Sequence, residues 1–201
     1  MLRVGILALQ GDYAAHGKVL DELQVDWQLV KMPRELEAVH GLISPGGEST
    51  TLLKLMAPIA MRPALEAFHA QGRPIFGTCA GLILLARETI HPAQESLGFI
   101  DIVAERNAYG RQIDSFVGPG MPLAAELQPP PLDMVFIRAP KIARLGAGVT
   151  PLATCQDEVV LARQDHVLVA SFHPELTTDY RVHRYFLDIV AASSSTPTEI
   201  V

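Results

Sequence analysis

Residues 2–9 form a nearly continuous apolar run that stops at Gln10-Gly11-Asp12. A run this short, with no polar alternation, predicts a strand buried on both faces. Residues 14–23 change period, and Val19, Leu20 and Leu23 fall on one side of a helix. Residues 27–30 and Gly41-Leu42-Ile43-Ser44 are two further short apolar runs, the second ended by Pro45-Gly46-Gly47. Helical spacing returns over 50–56 and 61–70. Pro74-Ile75-Phe76-Gly77 predicts a fourth strand, followed by a helix from Cys79 to about Arg87.

Strand and helix alternating in this way imply right-handed crossovers, hence a parallel sheet with helices on both faces. The expected fold class is α/β: three layers around a mostly parallel central sheet. The middle of the chain changes character. The runs at 100–103, 115–117, 134–137, 159–162 and 167–171 are short and separated by proline and glycine turns. They read as antiparallel additions at the sheet edge, with 167–171 returning to the centre. Residues 179–191 predict a closing helix with Tyr185, Phe186 and Ile189 inward. Pro129, Pro130 and Pro131 mark a loop, so residues 1–192 are expected to form one domain. Residues 193–201 are polar and read as a frayed tail.

Composition narrows the class. A chain of 201 residues builds one good core and is too short for two ordinary domains. At 49% hydrophobic and 19% charged it is globular. A net charge of −6 argues against non-specific nucleic-acid binding, which needs clustered Lys and Arg. Two cysteines in unrelated surroundings, Cys79 and Cys155, suit a reducing compartment better than a disulfide framework. The first apolar run is too short for a signal peptide, and no window approaches the ~20 apolar residues of a membrane span. A cytoplasmic protein is expected.

Three motifs carry chemistry. The first, Phe76-Gly77-Thr78-Cys79-Ala80-Gly81-Leu82-Ile83, fits strand, sharp turn and helix with a nucleophile at the turn. Small neighbours suit a strained turn, the helix N-terminus favours a thiolate, and the Ala80 amide can donate to a developing oxyanion. The plainer reading is a small buried cysteine packed between strand and helix.

The second motif is Ser171-Phe172-His173-Pro174-Glu175. Pro174 keeps His173 extended, and a period of two lets His173 and Glu175 point the same way. A base and the carboxylate that orients it then share one segment. A surface histidine beside a turn is the alternative, but a nucleophilic cysteine needs a distant histidine brought near by the fold.

The third motif is Ile43-Ser44-Pro45-Gly46-Gly47-Glu48-Ser49-Thr50-Thr51. Its exposed amides can hold a substrate carboxylate or complete an oxyanion hole; equally, Ser49 or Thr50 can simply cap a helix. No phosphate-loop lysine follows the glycines, which disfavours nucleotide binding.

Other candidates are weaker. Asp12 and His16 have i,i+4 spacing suited to a metal, but a solvated helix face is the commoner explanation and no third ligand is placed. Cys155 reads as core. His40, His69, His91, His166 and His183 lack a motif and read as surface residues. Arg138 ends a strand, a position suited to carboxylate recognition.

These motifs, in this order, resemble the class I (triad) glutamine amidotransferases, and more closely the glutaminase subunits of pyridoxal 5'-phosphate synthase. The resemblance runs from Leu9-Gln10-Gly11 with His16 to Ser171-Phe172-His173-Pro174-Glu175-Leu176. It includes Glu105-Arg106-Asn107 with Gly110-Arg111-Gln112, Asp114-Ser115-Phe116 and Phe136-Ile137-Arg138-Ala139-Pro140. It implies a flavodoxin-like fold with Cys79 as nucleophile, His173 as proton shuttle and Glu175 as orienting acid. It implies glutamine binding by Gly47, Glu48, Ser49, Arg106, Ile137 and Arg138. Gly47 and Ala80 amides would form the oxyanion hole, with Gln10 and Gly11 at the site edge or interface. No cofactor or metal is implied, since pyridoxal 5'-phosphate would be the product of a complex with a (β/α)8-barrel synthase subunit. Ser44 stands where the family usually has an aliphatic residue, and residues 118–133 fit the pattern loosely. The competing expectations are a glutaminase serving another synthase and a redox-sensing protein of the same fold.

Overall fold

The computed structural model describes residues 2–106 and 115–195; the polar stretch 107–114, with Asn107, Arg111 and Asp114, and the tail 196–201 lie outside the described residues. In chain order, β1 (Arg3–Leu7), α1 (Tyr13–Glu22) and β2 (Asp26–Val30) form the first crossover. There follow β3 (Gly41–Ser44), α2 (Ser49–Met56), α3 (Met61–Ala70), β4 (Ile75–Thr78) and α4 (Ala80–Leu85). Short strands come next: β5 (Ala86–Ile90), β6 (Ile100–Glu105), β7 (Ser115–Pro122), β8 (Leu132–Ile137) and β9 (Lys141–Leu145). The chain closes with β10 (Thr150–Cys155), β11 (Glu158–Gln164), β12 (Val167–Ala170) and α5 (Arg181–Ser195).

Among the described residues the main sheet has nine strands in the order β2-β1-β3-β4-β12-β11-β10-β7-β8. Its first five strands are parallel, and β12, the last strand of the chain, lies between β4 and β11. The expected parallel sheet and the return of 167–171 to the centre are therefore found. The sheet is buried on both faces because its strands carry apolar residues on both. Val4 and Ile6 of β1 join a core with Phe76, Phe172 and Phe186, whereas Leu7 joins Leu42, Met61, Phe68 and Leu82 in a second core. Full burial of each such side chain stabilises the fold by about 1.5–3 kcal/mol. On α5, Phe186 and Ile189 are buried and Tyr185 packs against the same core, as its spacing predicts.

Four local expectations are corrected. The helix after Cys79 ends at Leu85, because residues 86–90 extend as β5. The run at 100–103 is not a main-sheet edge: β6 pairs with β5 and β9 in a separate three-stranded sheet. Residues 141–145 and 150–155 are strands that the pattern did not mark. The closing helix runs from Arg181 to Ser195, so it takes in residues 193–195 of the expected tail. Within it, Ser193 Oγ donates to the Ile189 carbonyl at 3.0 Å, and Ser194 Oγ to that of Val190 at 2.8 Å, so these hydroxyls are satisfied inside the helix.

Candidate active site

Open α/β sheets gather ligands at the carboxyl ends of their parallel strands. Here β3 ends at Ser44 beside Gly77 of β4, and β12 ends at Ala170 beside Thr78. The segments leaving those three strands carry the three motifs, so the sheet register brings them together.

Cys79 leaves β4 with φ 49° and ψ −102°. A non-glycine residue there costs about 1–3 kcal/mol and persists only where its surroundings enforce it. Its amide donates to the Ala170 carbonyl at 2.9 Å, and its carbonyl accepts from the Ile83 amide at 3.2 Å. The turn packs so tightly that a Cβ on Gly81 would lie 2.1 Å from the Ser44 carbonyl oxygen. The turn has the sharp strand-to-helix geometry expected of the Gly-Thr-Cys-Ala-Gly run. Ala80 begins α4, where first-turn amides have no intrahelical acceptor.

His173 is held by its own amide, which donates to the Val135 carbonyl at 2.7 Å. Its Nδ1 lies 2.7 Å from Glu175 Oε1, and its other neighbour is Cys79, whose Sγ donates to the Ile137 carbonyl at 3.9 Å. The expected pair is present, but not through strand periodicity: Glu175 lies in a 3-10 turn, Pro174–Leu176. Burial opposes charge on His173. The hydrogen bonds to Cys79 and Glu175 and the charge of both outweigh it, pushing the imidazole up to about 10. Burial likewise opposes charge on Glu175. His16 and His173 outweigh it and hold the carboxyl below the usual range.

A cavity of about 460 Å³ opens over this group, a volume suited to a small metabolite. It is lined by Cys79, His173, Gln10, Gly47, Glu48, Ser49, Arg106, Ile137 and Arg138. Glu175 stands behind His173, and Ala80 follows Cys79 at the start of α4. Gly11 packs on the Gly46 carbonyl, which accepts the Asp12 amide at 3.0 Å and so turns the Gly47 N–H the other way. Gln10 Oε1 accepts the Glu48 amide at 2.8 Å, tying the first strand's loop to the glycine loop. Arg106 Nη2 stands 3.9 Å from Glu48 Oε1, and Arg138 sits at φ 44°. Ser49 Oγ donates to Gln94 Oε1 at 3.1 Å. The cavity wall thus carries two guanidinium groups, Arg106 and Arg138, and two carboxylates, Glu48 and Asp12.

Sequence reasoning missed three contributors. His16 was expected on a solvated face with Asp12, yet it is fully buried, with Nε2 3.5 Å from Glu175 Oε2, while Asp12 is exposed. His183, expected at the surface, is also fully buried and contacts His16 at 3.0 Å. Both lie on the core faces of amphipathic helices, His16 three residues before Val19 and His183 three before Phe186, so helical spacing alone could have placed them inward. Gln94 lies in a loop with no pattern to mark it.

A strained cysteine turn and a buried His–Glu pair at the carboxyl end of an α/β sheet form an arrangement suited to thiol attack on an acyl carbon, beside a cavity sized for a small charged molecule. The chain belongs to the SNO glutamine amidotransferase family, which it matches over residues 6–192. It is 48% identical over 189 residues to a pyridoxal 5'-phosphate synthase subunit PdxT of Thermosipho africanus, covering 94% of this chain and 99% of that one. It is 45% identical over 191 residues to the subunit of the same name of Desulforudis audaxviator, covering 94% and 100%. A solved crystal structure of a glutamine amidotransferase superposes with a TM-score of 0.87 at 44% identity, covering 94% of this chain and 98% of that one.

Proposed function

We propose that this chain hydrolyses L-glutamine to L-glutamate and ammonia through a thioester on Cys79, and hands the ammonia to a synthase subunit that builds pyridoxal 5'-phosphate. The observation that carries the reading is the Cys79–His173–Glu175 line at the floor of a cavity walled by Arg106, Arg138 and Glu48. The names of the PdxT relatives favour this synthase over another one.

In this mechanism His173, held protonated between Cys79 and Glu175, keeps the proton taken from the thiol while the Cys79 sulfur attacks the side-chain amide carbon. The tetrahedral oxyanion is received by the amides of Gly47 and Ala80. The C–N bond then breaks, His173 returns the proton to the leaving nitrogen, and ammonia departs. Water attacks the thioester with His173 as base, the C–S bond breaks, and glutamate leaves. Glu175 holds the imidazole throughout. Arg106 and Arg138 suit the substrate carboxylate, and Glu48 its ammonium group. Ser49 and Ile137 shape the wall. Gln10 and Gly11 fix the glycine loop and stand where a partner can act on it.

The partner is a (β/α)8-barrel subunit, and pyridoxal 5'-phosphate is the product of the complex rather than a cofactor of this chain. No described helix is long and apolar enough to cross a membrane, and a cytoplasmic location is part of the proposal. Ammonia release from glutamine, assayed with and without the synthase subunit, tests it. Slow hydrolysis alone and faster hydrolysis in the complex are expected; full activity without the partner would remove partner control, and a lack of glutaminase activity in the complex would remove the function.

A further inference from the structure

The triad ends at Glu175, but its buried polar chemistry does not. The Glu175 side chain is fully enclosed, and only Oε1 is used by His173. Oε2 is buried and makes no hydrogen bond of ordinary length; the group facing it is His16 Nε2 at 3.5 Å. That nitrogen also lies 3.2 Å from Thr78 Oγ1. On the other edge of the ring, His16 Nδ1 meets His183 Nε2 at 3.0 Å. His183 Nδ1 is buried with no partner. Phe76 sets its ring at 83° to both imidazoles and seals them from the sheet side.

These contacts fix the tautomers. Every N–H in a sealed pocket needs an acceptor, whereas a bare ring nitrogen left alone costs less than an orphaned donor. If His16 carried its proton on Nδ1, it would donate to His183 Nε2. His183 would then carry a proton on the partnerless Nδ1, and Glu175 Oε2 would face a bare nitrogen. With both protons on Nε2, His183 donates to His16 Nδ1, and His16 donates toward Thr78 Oγ1 and Glu175 Oε2. Only the bare His183 Nδ1 is then left over.

We propose that His16 is a positioning residue for the triad: its Nε2–H supports the second oxygen of Glu175, and His183 holds His16 in the tautomer that can do so. The triad becomes a line of five side chains, His183–His16–Glu175–His173–Cys79. The proposal rests on the triad reading given above. Burial holds His16 and His183 neutral, and the charged or titratable groups facing His16 are Glu175, His173, His183 and Asp12. A neutral donor steadies the carboxylate without cancelling the charge that His173 relies on. The 3.5 Å approach is long for the resting state, as such contacts often are before substrate tightens a site.

The test uses the isolated full chain and the complex. The pH dependence of Cys79 alkylation by iodoacetamide is followed in wild type and in His16→Leu, His16→Gln and Glu175→Gln, together with kcat and KM for glutamine in the complex. Gln keeps an N–H near the Nε2 position. His16→Leu is expected to move the acid limb of alkylation to higher pH and to lower kcat by roughly 10–100-fold with KM unchanged, by analogy with loss of the hydrogen-bond partner that orients a metal-ligating side chain. His16→Gln is expected to restore most of both. A folded His16→Leu with the wild-type limb and kcat would overturn the proposal, as would a Gln variant no better than Leu. Should His16→Leu fail to fold, the 15N shifts of the wild-type histidines decide: protonation of both rings at Nε2 supports the line of donors, and a proton on His16 Nδ1 overturns it. Failure of the triad reading itself looks different, because Glu175→Gln would then leave alkylation and turnover untouched.

Discussion

His173 Nδ1 lies 2.7 Å from Glu175 Oε1, and neither side chain has meaningful access to water. A short bond to a charged acceptor in a dry pocket fixes both the orientation and the tautomer of the imidazole. Replacing Glu175 by Gln keeps the volume but removes the charge, and permits the wrong tautomer. The expected loss in kcat is about 10⁴-fold, by analogy with the same exchange in a serine triad. Ammonia release checks it, with circular dichroism to show that the fold is kept.

Cys79→Ala should end turnover while leaving the protein folded, since the backbone bonds of the elbow to Ala170 and Ile83 remain, although His173 loses the support of the sulfur. Retained glutaminase activity in this variant would rule out the thioester route. The comparison separates chemistry from packing in a residue that is only 7% exposed.

Gly46 is the point at which the glycine loop meets His173, the proposed base. A Cβ there would stand 2.4 Å from His173 Cε1 and 3.4 Å from Cys79 Cβ. Gly46→Ala must therefore displace the imidazole or the loop. A shift on the order of 1 Å in such a site costs about 10²-fold in rate. We expect that loss in kcat, measured in the complex, with glutamine still binding; wild-type turnover would show that the loop yields instead.

The opposed histidines predict how stability depends on pH. His16 and His183 are neutral in the fold, with His183 lowered to about 3 by burial, so the unfolded chain takes up protons first as pH falls below 6.5. Stability is complete above 6.5 and declines below it, by at most about 1.4 kcal/mol per pH unit for each histidine. His173 works the other way. Pushed up to about 10, it contributes fully below 6.5 and loses its contribution as pH rises toward 10. Urea unfolding from pH 4 to 9 should show a maximum near 6.5. His183→Leu should make the acid side shallower, since the contribution of His16 remains, and leave the alkaline side alone.

The parallel half of the fold was legible because strands buried on both faces leave unbroken apolar runs, as residues 2–9 do. The elbow and the His–Glu pair were legible because local chain geometry restricts which residues serve there. The small sheet was not. Strand β5 carries the exposed pair Arg87-Glu88 and continues a helical pattern, so its pairing with β6 is a tertiary effect that periodicity cannot carry. His16 and His183 lie 167 positions apart, and only the packing of α1 and α5 over β4 makes them neighbours. A spacing rule read His16 with Asp12, its neighbour in sequence, instead of with Glu175, its neighbour in space.

Ser44 gives a prediction of the opposite sign to the others. It stands at the end of β3, where the resemblance leads one to expect an aliphatic side chain, and it is 2% exposed. Its hydroxyl is buried without a hydrogen-bond partner. A group in that position has given up water and gained nothing, which costs about 1–3 kcal/mol. Ser44→Ala deletes the hydroxyl and adds no volume against Gly81, whose Cα packs beside the Ser44 carbonyl. The small void that remains returns part of the gain. The net expectation is a stabilisation on the order of 1 kcal/mol with glutaminase activity unchanged, because the Ser44 backbone, not its side chain, shapes the elbow. Urea denaturation at fixed pH measures it through the midpoint at constant slope. A lower midpoint would mean that the hydroxyl has found a partner, and Ser44 would then count as part of the support beneath Cys79.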